Sequence, residues 1–230
     1  MKKQRTIKTT HGVAVVGLGA WLAAMSGHAQ CADSLYNNFY VGVEGGVALA
    51  QDSSILDNTG FGGSSTAIKF ATGWRAGGYV GYNFGKYFAV QLDSGVIYND
   101  ITTVGDQSVS SFGSAHLEQF PVLVEGVFKY PLGKFKPYIT VGLGGDFASF
   151  ESTGIPFSGP PPNPSYNSSD TTFAYEAGLG FTYSLTRHLD VGAAFKLLGT
   201  TDHDWNDNGI TLKTDGTVVS TFEATFTWEF

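Results

Sequence analysis

Ten charged residues stand at alternate positions in short runs along the chain: Glu44, Arg75, Asp93, Glu125, Lys129, Asp146, Glu176, Asp190, Lys196 and Glu223. Their neighbours one position away are mostly apolar, and those two positions away are mostly small or polar. Residues two apart share one face of an extended strand. Seven acids and three bases on such a face support two kinds of chemistry. They can pair into ion bridges that fill a narrow interior. Alternatively, they can line a hydrated path whose excess of acid prefers cations.

Other reactive residue types are sparse. Ser114, His116 and Glu118 fall on one strand face, but no nearby acid completes an obvious triad. Asp202, Asp204 and Asp207, with Asn206 and Asn208, are rich in the oxygen ligands that calcium prefers. Their spacing lacks the glycine and terminal glutamate of a calcium loop. His188 reads as a turn residue and His203 as a loop residue, both solvated. The sequence therefore predicts no enzyme, no catalytic residue, no metal site and no cofactor.

Eight segments must position these charges, and each alternates with period two. In the first, Phe39, Val41, Val43, Gly45, Val47 and Leu49 oppose Tyr40, Gly42, Glu44, Gly46 and Ala48. In the last, Phe222, Ala224, Phe226, Trp228 and Phe230 oppose Thr221, Glu223, Thr225, Thr227 and Glu229. The intervening segments centre on residues 74–83, 88–96, 119–129, 139–147, 173–183 and 189–197. The charged face is too small and too polar for a dry core, so the apolar face points outward, as in a barrel dissolved in lipid. Pro121 lacks an N–H and should cost the fourth segment a ladder bond.

The links alternate in length. Phe84 to Lys86, Pro131 to Lys136 and Ser184 to His188 are short, and they hold Lys86, Lys134, Lys136 and Arg187. Ala50 to Lys69, Asn99 to Gly113, Glu151 to Asp170 and Gly199 to Thr217 are long, polar and acidic. The third long link carries Pro156, Pro160, Pro161, Pro162 and Pro164, which favour an extended, stiff chain. An even strand count puts both chain ends on the short-turn rim.

Residues 1–29 read as a signal peptide: basic Lys2, Lys3, Arg5 and Lys8, an apolar run from Val13 to Met25, then Gly27-His28-Ala29. Cys31, the only cysteine, follows the expected cut and can form no internal disulfide. Removing residues 1–29 takes away four of 13 basic residues and none of 20 acidic ones, leaving a formal charge of −11. Such a chain is a poor partner for nucleic acid. Residues 30–230 have no room for a second domain, and no apolar run is long enough for a spanning helix.

Phe39-Tyr40-Val41-Gly42-Val43, the stretch Lys136-Pro137-Tyr138-Ile139-Thr140-Val141-Gly142-Leu143-Gly144, and a last segment ending in Phe230 carry a family resemblance. The chain resembles the small outer-membrane barrels of OmpA, OmpX and Opa type, within the wider porin family. The resemblance implies an all-β, eight-stranded antiparallel, transmembrane up-and-down β-barrel in a bacterial outer membrane. It places the long loops outside and the short turns and both termini in the periplasm. It implies contact with outer-membrane lipid and lipopolysaccharide. Phe222, Phe226, Trp228 and Phe230 would form the signal read by the barrel assembly machinery. The function it suggests is envelope integrity with loop-mediated contact to a surface ligand. The alternatives are a small cation-preferring pore and an outer-membrane lipid-modifying enzyme.

Overall fold

A computed structural model describes residues 38–58, 67–104, 107–111, 113–153, 165–207 and 210–230. The expected signal peptide and Cys31 lie outside the described residues, as do Asn208 and the prolines of the third long link. The barrel belongs to the unit Ser34–Phe230.

Eight antiparallel strands close a barrel. They are β1 (Phe39–Ala50), β4 (Gly73–Asn83), β5 (Phe88–Val104), β7 (Ser114–Lys129), β8 (Phe135–Thr153), β9 (Ser165–Ser184), β10 (Leu189–Thr200) and β13 (Val218–Glu229). Each pairs with its sequence neighbour among the eight, and β1 closes the ring on β13 with Val43 opposite Phe226. Closure leaves no open edge, the condition for strands to cross a bilayer. Val43, Val124, Val141, Leu143, Leu179 and Phe226 point outward and are more than half exposed. Burying them in lipid removes the cost of that apolar surface in water. At Pro121 the ladder between β5 and β7 is interrupted: it pairs Ser94 with Val122 and resumes at Ile97 and Gln119. The Pro121 carbonyl instead accepts a 3.0 Å bond from the Ser94 hydroxyl.

The long links differ from the expected polar loops. β5, β7, β8 and β9 run 17, 16, 19 and 20 residues, well past the roughly 9–11 that a tilted membrane strand needs. On the other side of the rim, short strands continue the wall: β2 (Ser53–Asn58), β3 (Ala67–Phe70), β6 (Gln107–Ser108), β11 (His203–Asp207) and β12 (Ile210–Thr214). Their order is β11-β12-β2-β3-β5. Ile55, Ile68, Ile101, Val109, Leu117, Phe150 and Trp205 pack inside this extension as a small apolar core. That buried surface is the physical reason the links fold rather than remain hydrated.

Candidate functional site

The interior of the barrel is layered. At mid-height, Arg75 from β4 reaches four carboxylates. Its Nη2 lies 2.8 Å from Glu44 and 2.6 Å from Asp93; its Nη1 lies 3.0 Å from Glu176 and 3.2 Å from Glu223. Lys196 from β10 meets the same four acids at 3.0, 2.8, 3.5 and 3.8 Å. The Arg75 and carboxylate side chains are 0–1 % exposed, and Lys196 is 3 % exposed. These six residues come from six of the eight barrel strands, so one cluster ties most of the wall across the lumen. The guanidinium fork suits this work, because its N–H groups grip carboxylates on two sides in a fixed plane.

Neutral groups extend the cluster. Tyr40 donates its hydroxyl to Gln91 Oε1 at 2.9 Å, and Gln91 Nε2 donates to Glu125 at 2.6 Å. Thr221 donates to Glu223. Asp146 stands apart, accepting from Gln119 Nε2 at 2.8 Å. Ala48, Ile97, Leu123, Ala174, Leu198 and Val219 form an apolar ring within the barrel.

Toward the short-turn rim lies a tyrosine layer of Tyr40, Tyr79 and Tyr138. Glycines on adjacent strands admit it: a Cβ at Gly42 would clash with the Tyr79 ring, and one at Gly81 with the Tyr40 ring. Lys129 sits over the Tyr40 ring, 4.3 Å from its centre, and donates to Asn83 at 3.0 Å. Lys136 bridges Asp190 at 2.8 Å and Glu229 at 3.4 Å. The sequence pattern places Lys136 in a turn. β8 begins at Phe135, one residue earlier, because Leu132 and Phe135 pair across the turn, and this sends Lys136 inward.

The ten inward charges thus divide into a central cluster (Glu44, Arg75, Asp93, Glu176, Lys196, Glu223), a linked acid (Glu125), a separate acid (Asp146) and two rim groups (Lys129, Asp190). Alternation alone does not reveal Gln91, Gln119 and Lys136 as their partners, nor Tyr138 in the tyrosine layer. The bulk of a tyrosine opposite a glycine was the available signal for the tyrosine layer.

The other candidates separate. Ser114, His116 and Glu118 face outward, and His116 meets Glu151 of β8 at 3.5 Å while stacking on Tyr98. Asp202 caps the Gly216 N–H, and Asp204 pairs with Lys213 at 2.8 Å. Among the described residues, no group of three or more His, Cys, Asp or Glu is arranged to hold a metal ion.

His203 is a correction. Expected in solvent, it is fully buried, stacked on Trp205 at 5.0 Å and hydrogen-bonded through Nε2 to Thr200 at 3.0 Å. Its Nδ1 lies 3.5 Å from Asp170. Burial lowers its pKa, against the opposing pull of Asp170 and Asp202. His188 is exposed and stacks on Trp228.

Residues 18–230 match the family model for the outer membrane protein β-barrel domain. Two solved structures share the fold. Neisserial surface protein A is 16 % identical, with a TM-score of 0.51, over 84 % of this chain and 97 % of that one. The outer membrane protein AlkL, solved in lipid bilayers, is 12 % identical, with a TM-score of 0.52, over 89 % of this chain and 96 % of that one. No curated protein is similar enough to match.

Proposed function

The chain belongs to the outer membrane protein β-barrel family, and on that premise we propose that it is a plugged scaffold whose working surface is the strand-built rim. One observation carries this reading: Arg75 and Lys196 cross the lumen to the same four carboxylates at near-zero exposure. An eight-stranded barrel has an interior that side chains can just fill. Every charge left there unpaired would cost several kcal/mol, about 3–5 for a broken pair. Function then moves to the rim, where the extension pairs β2, β3, β11 and β12 into a folded platform.

In this reading the rim faces outward beside lipopolysaccharide and contacts a surface ligand, while the short turns and both termini face the periplasm. Phe230 and the outward Phe222, Phe226 and Trp228 engage the barrel assembly machinery. The test has two parts. Proteoliposomes holding the refolded protein should admit small ions and sugars no faster than empty vesicles. A Lys213→Cys variant should label on intact cells with an impermeant maleimide, and a Lys134→Cys variant should not. Rapid solute entry, or the reverse labelling pattern, contradicts the reading. The acid excess of the lumen supports a second reading: if the barrel opens, the open state conducts cations.

A further inference from the structure

The three short turns repeat one pattern. Phe84-Gly85-Lys86-Tyr87, Leu132-Gly133-Lys134-Phe135 and Leu185-Thr186-Arg187-His188 each run from a large apolar residue through a small one to a cation and then a ring. Each tip is closed by a backbone bond, over four residues in the first and third turns and over three in the second. The N–H of Phe84 donates to the carbonyl of Phe88 at 2.9 Å, that of Leu132 to Phe135 at 2.8 Å, and that of Leu185 to Leu189 at 2.9 Å. Gly85 and Gly133 take positive φ (128° and 69°), which permits the sharp reversal just before the cation.

Phe84, Leu132 and Leu185 are 63, 56 and 51 % exposed. Lys86, Lys134 and Arg187 are exposed too, and none forms an ion pair with a described residue. The neighbouring acids do not serve them, because Lys136 takes both Asp190 and Glu229. Phe84 joins a girdle of rings along this rim. Phe39 meets Tyr82 at 4.9 Å, Tyr82 meets Phe84 at 4.9 Å and Phe84 meets Phe88 at 6.0 Å, while Tyr87 stacks on Tyr130 at 6.5 Å. Such a girdle marks the depth of the bilayer interface, so the cations stand at headgroup level.

The turns join β4 to β5, β7 to β8 and β9 to β10, two strands apart around the wall, with the chain ends at the fourth quarter. A folded partner docks on one sector. The same hook on three sectors suits a ligand that surrounds the barrel. The opposite rim has the wrong charge for this ligand, with Asp52, Asp100, Glu118, Glu151, Asp170, Asp202, Asp204 and Asp215 against Lys69 and Lys213.

We propose that the short-turn rim binds anionic phospholipid. Each tip cation pairs with a headgroup phosphate, and the apolar residue two positions before it anchors among the acyl chains. This assignment rests on the barrel's place in a membrane and not on which side the turns face.

Spin-labelled phosphatidylglycerol and phosphatidylcholine, read by electron spin resonance in vesicles holding the refolded barrel, test it. Wild type should immobilise phosphatidylglycerol several-fold more strongly than phosphatidylcholine. The combined variant Lys86→Gln, Lys134→Gln, Arg187→Gln should bring the ratio to about one, a several-fold loss shared among three cations that are each worth at most about fivefold. Lys86→Arg and Lys69→Gln should each leave it unchanged. If the combined variant folds poorly, single Lys86→Gln and Arg187→Gln variants should each lower the ratio by part of that amount. A wild-type ratio near one, or a ratio that survives removal of the three cations, overturns the proposal.

Discussion

Arg75 and Lys196 share four carboxylates, and Asp93 divides its two oxygens between them, Oδ1 to Arg75 at 2.6 Å and Oδ2 to Lys196 at 2.8 Å. Two cations that hold the same acids stabilise the barrel jointly, so their removal should not add. Arg75→Met leaves buried carboxylates short of a partner and should cost about 3–5 kcal/mol. Lys196→Met should cost a similar amount. The double variant should depart from the sum, because both residues belong to one network. Urea unfolding in lipid vesicles, followed by tryptophan fluorescence, measures all three.

The tyrosine layer depends on glycines opposite it. A Cβ at Gly42 or Gly81 collides with ring atoms of Tyr79 or Tyr40, so Gly42→Ala and Gly81→Ala should each destabilise by about 1–3 kcal/mol. Gly85→Ala should act differently. Nothing lies near its Cβ position, and the cost there comes from the positive φ alone, about 1 kcal/mol. The same unfolding assay separates the two mechanisms, since pairing Gly81→Ala with Tyr40→Phe should leave the ring clash in place, whereas Gly81→Ala with Tyr40→Leu should relieve it.

How far the fold could be read from sequence follows from where period two holds. The barrel strands alternate because lipid and lumen differ so sharply, and that contrast survives in the sequence, least cleanly in β7, where Pro121, Leu123 and Val127 share the inward parity. Within the rim extension, Ile101 and Trp205 are single apolar residues between polar ones, and Ile55 and Ile68 sit in short mixed runs. They meet only because β12 pairs with β2 and β3 with β5, contacts between residues far apart in the chain. The parity of the inward charges is likewise a strand property. Which acid meets which base depends on register and on side chains crossing the lumen, and neither is local. Lys136 shows the limit: one residue of strand extension moves it from a turn to an inward ion pair.

His203 makes the rim sensitive to pH. Its neighbours are Thr200, Trp205, Asp170 and Asp202, and burial holds its pKa below the ordinary histidine value of 6.5. The folded rim therefore binds fewer protons than the opened one. Its stability is full above about pH 6.5 and declines as pH falls through that value toward the folded pKa. Backbone hydrogen exchange across β11 and β12 should report more frequent opening at pH 5 than at pH 7.5, after correction for the intrinsic rate. His203→Gln should remove the difference. Equal protection at both pH values in wild type would contradict the role given to this histidine.

Phe230 follows directly on β13, is exposed like Trp228 and Phe226, and its N–H donates to the Phe39 carbonyl at 3.1 Å. If it serves assembly rather than stability, Phe230→Ser should reduce the amount of heat-modifiable barrel in cell envelopes several-fold. Refolding of the same variant into pure lipid should be nearly unaffected. An equal loss in both settings would make the residue a structural contact alone.

The plugged lumen is tested most directly by single-channel recording of the refolded protein in planar bilayers, beside Arg75→Ala. The account expects a silent wild type and, once the four-way cation is removed, brief openings with cation preference. Steady wild-type conductance that Arg75→Ala leaves unchanged would mean that ions bypass the central cluster, and the barrel would be a pore rather than a scaffold.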